Sequence, residues 1–236
     1  MTTFYTTETI THAIDEDAIV DQNDTTVAYL ELDDYPMNPR EEYEHLGVLV
    51  LGPRHFGRTN EDPGAIGKTI SDYFEGYYTV DSTWMCGHYV EEGEAGYMAN
   101  SAAELARLLR DKFGATVVLG LSEYGRDGSL SATVLGDDPT DDGRYDYYLL
   151  DTPERRKWAG LEDADPDVIT SALTAEAEEF SAYCSGDVYS VKLALHTNGE
   201  IRAVMDECSG YYGIESAKRA AAEMFAADYE DLTAAG

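Results

Sequence analysis

The sequence predicts an α+β fold: a mainly antiparallel sheet built from hairpins, with helices packed on it. Two dipeptides that favour tight hairpin turns, Asp127–Gly128 and Asn198–Gly199, each lie between runs typical of strands. Helical patterns fall between the predicted strand pairs, which is the order expected of an α+β protein. A hydrophobic content of 43% is enough for a sizeable core.

The N-terminal part predicts a lead-in followed by two strands. Residues 1–24 are acidic and rich in Thr, and predict a loosely ordered segment. Residues 25–32 have the alternation and β-branched content of a strand. Asn38–Pro39 is a helix-start signal that leads into a short polar turn. The apolar run 46–51 then predicts a buried strand.

The middle of the chain is organised around a helix over 101–113, where Ser101 and Glu104 form a capping box. Before it, residues 60–100 have poor periodicity and predict an insertion that begins with a helix over 62–74. The elements predicted after it are strands over 115–122, 129–135 and 145–150 and a short helix over 153–160.

The last third predicts a helix, a hairpin and a final helix. In order, these are a helix over 166–183, strands over 187–196 and 200–206, a turn over 210–213 and a helix over 214–229. Residues 25–236 are predicted to form a single domain.

Charge is the strongest global signal, because 47 Asp and Glu face 16 Lys and Arg, for a net charge of -31. One interpretation is a cytoplasmic protein of a salt-accumulating halophile, in which salt screens the self-repulsion. The other is a DNA mimic or a binder of basic partners in ordinary salt. The acidity is spread along the chain and Lys is scarce throughout, which favours the halophile. Direct nucleic-acid binding is disfavoured by the same charge.

The cysteines and the N-terminus predict a soluble cytoplasmic protein. Three cysteines, Cys86, Cys184 and Cys208, are an odd number without paired spacing, which argues against a disulfide framework. The N-terminus shows no signal-peptide pattern, and no apolar run approaches the length of a membrane span. The sequence leaves the oligomeric state open.

Three blocks carry a resemblance to a known family. They are NPREEYEHLGVLVLGPRHFGR (38–58), LSEYGRDGSLSAT (121–133) with YDYYLLDTPERRKW (145–158), and SGDVYSVKLALHTNGEIRAVMDECSGYYG (185–213). In this order they resemble an uncharacterised family encoded by tailed phages, proviruses and plasmids. The chain departs from that family in lacking Trp near Tyr43 and near Ser209, and in being longer between the first two blocks. The resemblance implies an origin in a mobile element and implies no biochemical activity.

The candidate binding residues lie in the first block and are Arg40, Arg54, His55 and Arg58. Arginine suits bidentate contact with an anion, so these residues could form an anion-binding patch in an otherwise acidic chain. The alternative is that they pair with surplus carboxylates close in sequence.

Two runs approach a phosphate-binding loop without completing it. Gly52, Gly57, Arg58 and Thr59 have the spacing, but Arg replaces the required Lys. DPGAIGKT (62–69) keeps Lys68 and Thr69 but lacks the first Gly. Neither run meets the full pattern, and no cofactor is predicted.

Two sets of residues could hold a metal only if the fold brought them together. Cys86, His88, Cys184 and Cys208 are zinc-ligand types, but only the first two are close in sequence. Asp187 and Asp206 are predicted to lie together at the open end of the C-terminal hairpin. Because carboxylates are abundant and free Cys is often a small core residue, no metal site is predicted.

The function predicted from these observations is a non-enzymatic accessory role in a halophilic virus, provirus or plasmid. The protein would bind a host or viral macromolecule, with anti-restriction or other anti-defence activity by DNA mimicry as the sharpest version. The alternative is a small enzyme that acts on a phosphate-bearing or nucleotide substrate through the Arg54–Arg58 loop.

Overall fold

The computed structural model describes residues 18–23, 25–52, 64–80, 102–124, 126–136, 141, 143–198 and 200–234. The chain divides into two compact units. Unit 1 comprises residues 1–42 and 182–236, and unit 2 comprises residues 43–181. The single-domain organisation expected for 25–236 stays a prediction.

The described strands form two four-stranded antiparallel sheets, one in each unit, which confirms the α+β class. The strands are β1 (Ile19–Gln22), β2 (Thr26–Leu32), β3 (Gly47–Leu51), β4 (Val118–Glu123), β5 (Leu130–Val134), β6 (Tyr147–Asp151), β7 (Val188–Thr197) and β8 (Glu200–Tyr212). The helices are α1 (Pro39–Glu42), α2 (Gly64–Val80), α3 (Ala102–Phe113), α4 (Pro153–Ala159), α5 (Pro166–Ser185) and α6 (Ile214–Ala234).

Unit 1 is a sheet covered on one face by a helix. Its strand order is β1-β2-β7-β8, and α6 packs against β2 and β7. Leu30 and Val191 from the strands meet Ala217 and Ala221 from the helix in one buried cluster. The two alanines lie four residues apart and so share one face of the helix. Because their side chains are small, the helix can pack closely on the sheet.

Unit 2 carries helices on a sheet of order β3-β6-β4-β5. Tyr148 and Leu150 of β6 share a buried cluster with Phe74 of α2 and Leu105 of α3. On α5, the buried stripe is formed by Ile169, Leu173, Ala177 and Phe180. Successive strand residues face opposite sides. Tyr147 of β6 accordingly makes an edge contact with Phe180, with ring centroids 5.6 Å apart.

Two predicted boundaries are wrong in unit 1, and both errors concern strands. β1 lies inside the segment 1–24 that the sequence predicts to be loosely ordered, and it pairs with β2. β8 continues to Tyr212, beyond the predicted end at residue 206 and through the predicted turn. The cause is a set of β-bulges in β8, one of which accommodates Gly210 with a φ of 84°. The predicted insertion at 60–100 is described only in α2.

Candidate functional site

The predicted anion-binding set is only partly described. Arg54, His55 and Arg58 lie outside the described residues. Arg40 is half-buried in α1, where its backbone N–H donates to Oδ1 of Asn38 at 3.0 Å. Asn38 therefore caps this short turn, as its sequence predicts. The enzymatic alternative that depends on the Arg54–Arg58 loop stays a prediction.

Within unit 1, the segment before α1 contacts the C-terminal block. The backbone N–H of Asp33 donates to the Val188 carbonyl at 2.8 Å, and the Tyr212 hydroxyl donates to the Met37 carbonyl at 2.8 Å. Tyr212 belongs to the YYG sequence, and Met37 precedes the NPRE sequence. The residue just before the first block of the resemblance thus contacts the third block at the end of β8.

Gly52 begins the first of the two runs that approach a phosphate-binding loop, and packing explains why this position is a glycine. Its backbone N–H donates to the Asp146 carbonyl at 2.7 Å, and a methyl group at this position would overlap the carbonyl oxygen of Tyr145. Glycine is therefore needed for the close approach of two backbone segments.

The second match is helical where it is described. Residues 64–69 are the first turns of α2, and the Thr69 hydroxyl donates to the Ala65 carbonyl at 2.9 Å. The same hydroxyl accepts from Nζ of Lys112 at 2.7 Å. In a phosphate loop the Lys and Thr follow directly on the loop, but here Lys68 and Thr69 come after a full helical turn.

Replacing Gly52 with Ala is expected to lower the free energy of unfolding by about 3 kcal/mol, because the methyl group meets backbone rather than a mobile side chain. Urea unfolding followed by circular dichroism measures the change. Gly160→Ala is the control: Gly160 has a φ of 69° and open space around it, so only backbone strain of about 1 kcal/mol applies. Equal effects of the two changes would show that the close approach at Gly52 is not rigid.

The proposed pairing of Asp187 with Asp206 is wrong. Asp206 lies opposite Leu193 in the middle of the hairpin, whereas the backbone carbonyl of Asp187 accepts from Gly213 beyond the end of β8. Leu193 is six positions along the chain from Asp187, which is about 20 Å in an extended strand. The bulged, longer β8 places Asp206 away from the open end, so the two carboxylates cannot share an ion.

The cysteine and histidine residues that could have bound a metal do not come together where the structure describes them. Cys86 and His88 lie outside the described residues, while Cys184 is half-buried and Cys208 is exposed. Nδ1 of buried His45 lies 3.9 Å from Oε1 of Glu176. Within the described ranges, no group of three or more His, Cys, Asp or Glu side chains could hold a metal ion.

A groove in unit 1 combines a concave surface with two carboxylates that converge on it. It lies between β8 and α6 and has a volume of about 620 Å³. From the helix it is lined by Ala220, Glu223, Met224 and Ala227, whose spacing of three and four residues places them on one stripe. The groove therefore follows the helix for about two turns.

The strand side of the groove depends on a bulge. Met205 and Asp206 both line it, together with Tyr211 and buried Leu193. Consecutive residues of a regular strand would face opposite sides. The pairing steps from Leu193 with Asp206 to Ala194 with Val204, so Met205 is the extra residue of a bulge and can share the groove with Asp206.

Negative charge converges on the tyrosine of this groove. The pKa of Tyr211 is raised to about 12, first by a hydrogen bond with the Cys208 thiol, then by burial and by the charges of Cys208, Glu223 and Asp206. Its hydroxyl therefore keeps its proton at neutral pH. The groove offers two carboxylates, a tyrosine ring with a hydroxyl, and a floor of Leu and Met.

Sequence reasoning missed this groove, although one signal was present. Gly210 interrupts a strand-like run, and a glycine within a strand often marks a bulge. The helix stripe that lines the groove could also have been read from the spacing of residues 220 to 227.

The chain was compared with family models, with curated proteins and with solved structures, and nothing matches. In the described part of the chain, no helix combines the length and the apolar composition that crossing a membrane requires.

Proposed function

We propose that this chain is a non-enzymatic accessory protein of a halophilic virus, provirus or plasmid that binds a basic surface on a host or viral macromolecule. The origin is supported by the resemblance of three sequence blocks to a mobile-element family. The halophilic host is supported by 47 acidic residues against 16 basic ones. The basic partner is supported by how the described residues use their positive charge.

Some of the positive side chains that the structure describes form ion pairs within the chain, namely Arg156, Lys192, Arg202 and Lys218. Lys192 lies between Glu31 and Glu207, with its Nζ 3.5 Å from Oε1 of Glu207, and these neighbours raise its pKa although burial alone would lower it. Nη2 of Arg202 lies 2.9 Å from Oε2 of Glu200. Such pairs neutralise acidic residues next to them and leave the rest of the acidic surface uncompensated.

The clearest uncompensated patch in unit 2 is at the start of α5. Glu162, Asp163, Asp165 and Asp167 are all exposed, and none makes an ion pair within the described part of the chain. This observation carries the proposal, because closely spaced exposed carboxylates complement a surface that is rich in Lys and Arg. A surface built to neutralise DNA phosphates is such a partner.

The anti-restriction form of the proposal is tested by competition. Fluorescence anisotropy follows labelled duplex DNA bound to a purified restriction endonuclease from a halophilic host, while the chain is added. We expect the chain to displace the DNA. We also expect its expression to raise virus plating in the restricting host but not in a non-restricting one.

Two variants with equal loss of charge locate the surface. Glu162→Gln with Asp163→Asn is expected to weaken displacement, whereas Asp72→Asn with Glu178→Gln, at other exposed positions, should leave it unchanged. If the wild-type chain neither displaces DNA nor alters plating, the anti-restriction proposal is wrong.

A further inference from the structure

We infer that the groove between β8 and α6 is a docking site for an arginine-bearing, partly apolar segment of a basic protein. The inference rests on the proposed function, which supplies the partner class, and it assigns the chemistry of one contact surface. It is carried by charge complementarity, by the composition of the groove and by its size.

The charge of the groove has one sign, because its charged lining residues are carboxylates. Asp206 and Glu223 face the groove from the strand and from the helix, and both influence the Tyr211 hydroxyl. Among the residues that the structure describes, no Lys or Arg lines this groove. A guanidinium in the groove could donate to both carboxylates and stack on the Tyr211 ring. These contacts favour Arg over Lys, because a planar fork of donors suits two acceptors and a ring face.

The apolar floor and the size of the groove indicate what must accompany the arginine in the docked segment. Leu193, Met205 and Met224 form an apolar floor, and thioether side chains adapt to varied apolar partners. The volume of about 620 Å³ exceeds the space that one side chain fills and lies within the range of ligand sites. Apolar neighbours of the arginine would therefore occupy the remaining space.

A contact of this kind suits a salt-rich cytoplasm. At about 1 M salt, the screening length is about 3 Å, so attraction between distant charges is lost. Directly paired charges above buried apolar side chains are screened much less. The groove supplies both carboxylates for direct pairing and an apolar surface beneath them. An exposed acidic surface supplies only the carboxylates.

The test uses the full-length chain and synthetic peptides in about 2 M KCl. Calorimetry compares a peptide of alternating Arg and Leu with the same peptide carrying citrulline, which has the shape of Arg without its charge. We expect the citrulline peptide to bind at least about tenfold more weakly, since charge-assisted hydrogen bonds are lost. Equal affinity for the two peptides would overturn the inference.

Variants place the contact on the protein. Asp206→Asn with Glu223→Gln is expected to weaken binding of the Arg peptide by about tenfold or more, and the charge-matched Asp72→Asn with Glu178→Gln, at exposed positions outside the groove, by less than about twofold. Ala227→Arg, which would place a cation in the groove from the helix, should compete with the peptide. Equal loss in the two charge-matched pairs, or unchanged binding in the groove variants, overturns the inference.

Other occupants are separate outcomes. Spermine binding as tightly as the Arg peptide would identify a small cation, and a dimer that the groove variants dissociate would identify a second copy of the chain; either result overturns the inference. Failure here is distinguishable from failure of the proposed function. Groove variants that still displace DNA from the endonuclease would leave that proposal standing, whereas peptide binding without DNA displacement would leave only the groove.

Discussion

Replacing Asp151 with Ala is expected to lower the free energy of unfolding by about 3–5 kcal/mol. Asp151 ends β6 and is fully buried. Its Oδ1 accepts from the backbone N–H of Thr116 at 3.0 Å and from that of Val117 at 2.7 Å, and its Oδ2 pairs with Arg156. Removing the carboxylate leaves these two N–H groups without their acceptor, and among the described residues it leaves the Arg156 guanidinium with the Gly114 carbonyl, at 3.1 Å.

Urea unfolding in high salt measures this loss, and a second variant of the same residue separates its causes. Asp151→Asn keeps one acceptor oxygen and should cost less than Ala while still losing the ion pair. Exposed Asp163→Asn should change stability by less than about 0.5 kcal/mol. If Asp151→Ala lowers the free energy of unfolding no more than the exposed control does, water must be able to replace the carboxylate. The hydrogen bonds of Asp151 would then not be shielded from solvent.

Local signals made part of the fold predictable. α4 begins after Thr152, whose hydroxyl accepts the Arg155 N–H at 3.4 Å, and ends at Gly160 with a φ of 69°, as a cap, a proline and a glycine in sequence predict. The hairpin of β7 and β8 turns at Asn198, which has a φ of 53°. In each case the residues that determine the geometry are neighbours in the chain.

The backbone partners of Asp151 could not be predicted, because they come from a distant part of the chain. Thr116 and Val117 lie 35 and 34 residues away, and Arg156 belongs to the following helix. In a chain with 47 acidic residues, composition gave no reason to single out this carboxylate. Only the meeting of β6, the segment just before β4 and α4 identifies it.

The groove was hidden for a related reason. A regular β8 would have placed Met205 and Asp206 on opposite faces, and no sequence pattern fixes where a bulge inserts its extra residue. The sequence instead indicated the Arg54–Arg58 loop, because positive charge is rare in this chain. A rare residue type is visible in a sequence, whereas a cavity appears only when a strand and a helix are placed side by side.

Raising the salt concentration is expected to raise the melting temperature strongly. With a net charge of -31 on 236 residues, the folded chain carries a large self-repulsion that the expanded, unfolded chain relieves. Salt screens this repulsion, and the screening length falls from about 10 Å at 0.1 M to about 3 Å at 1 M. Most of the gain should therefore occur below about 1 M KCl.

Circular dichroism or scanning calorimetry at about 0.1, 1 and 3 M KCl measures the effect. Glu162→Gln with Asp163→Asn supplies a control, because removing two exposed negative charges should raise the melting temperature at low salt and change it little at high salt. Equal melting temperatures at about 0.1 M and about 3 M KCl would contradict the halophilic interpretation. The excess of acidic residues would then have to serve the binding of a basic partner in ordinary salt, where unscreened carboxylates attract such a partner from a distance.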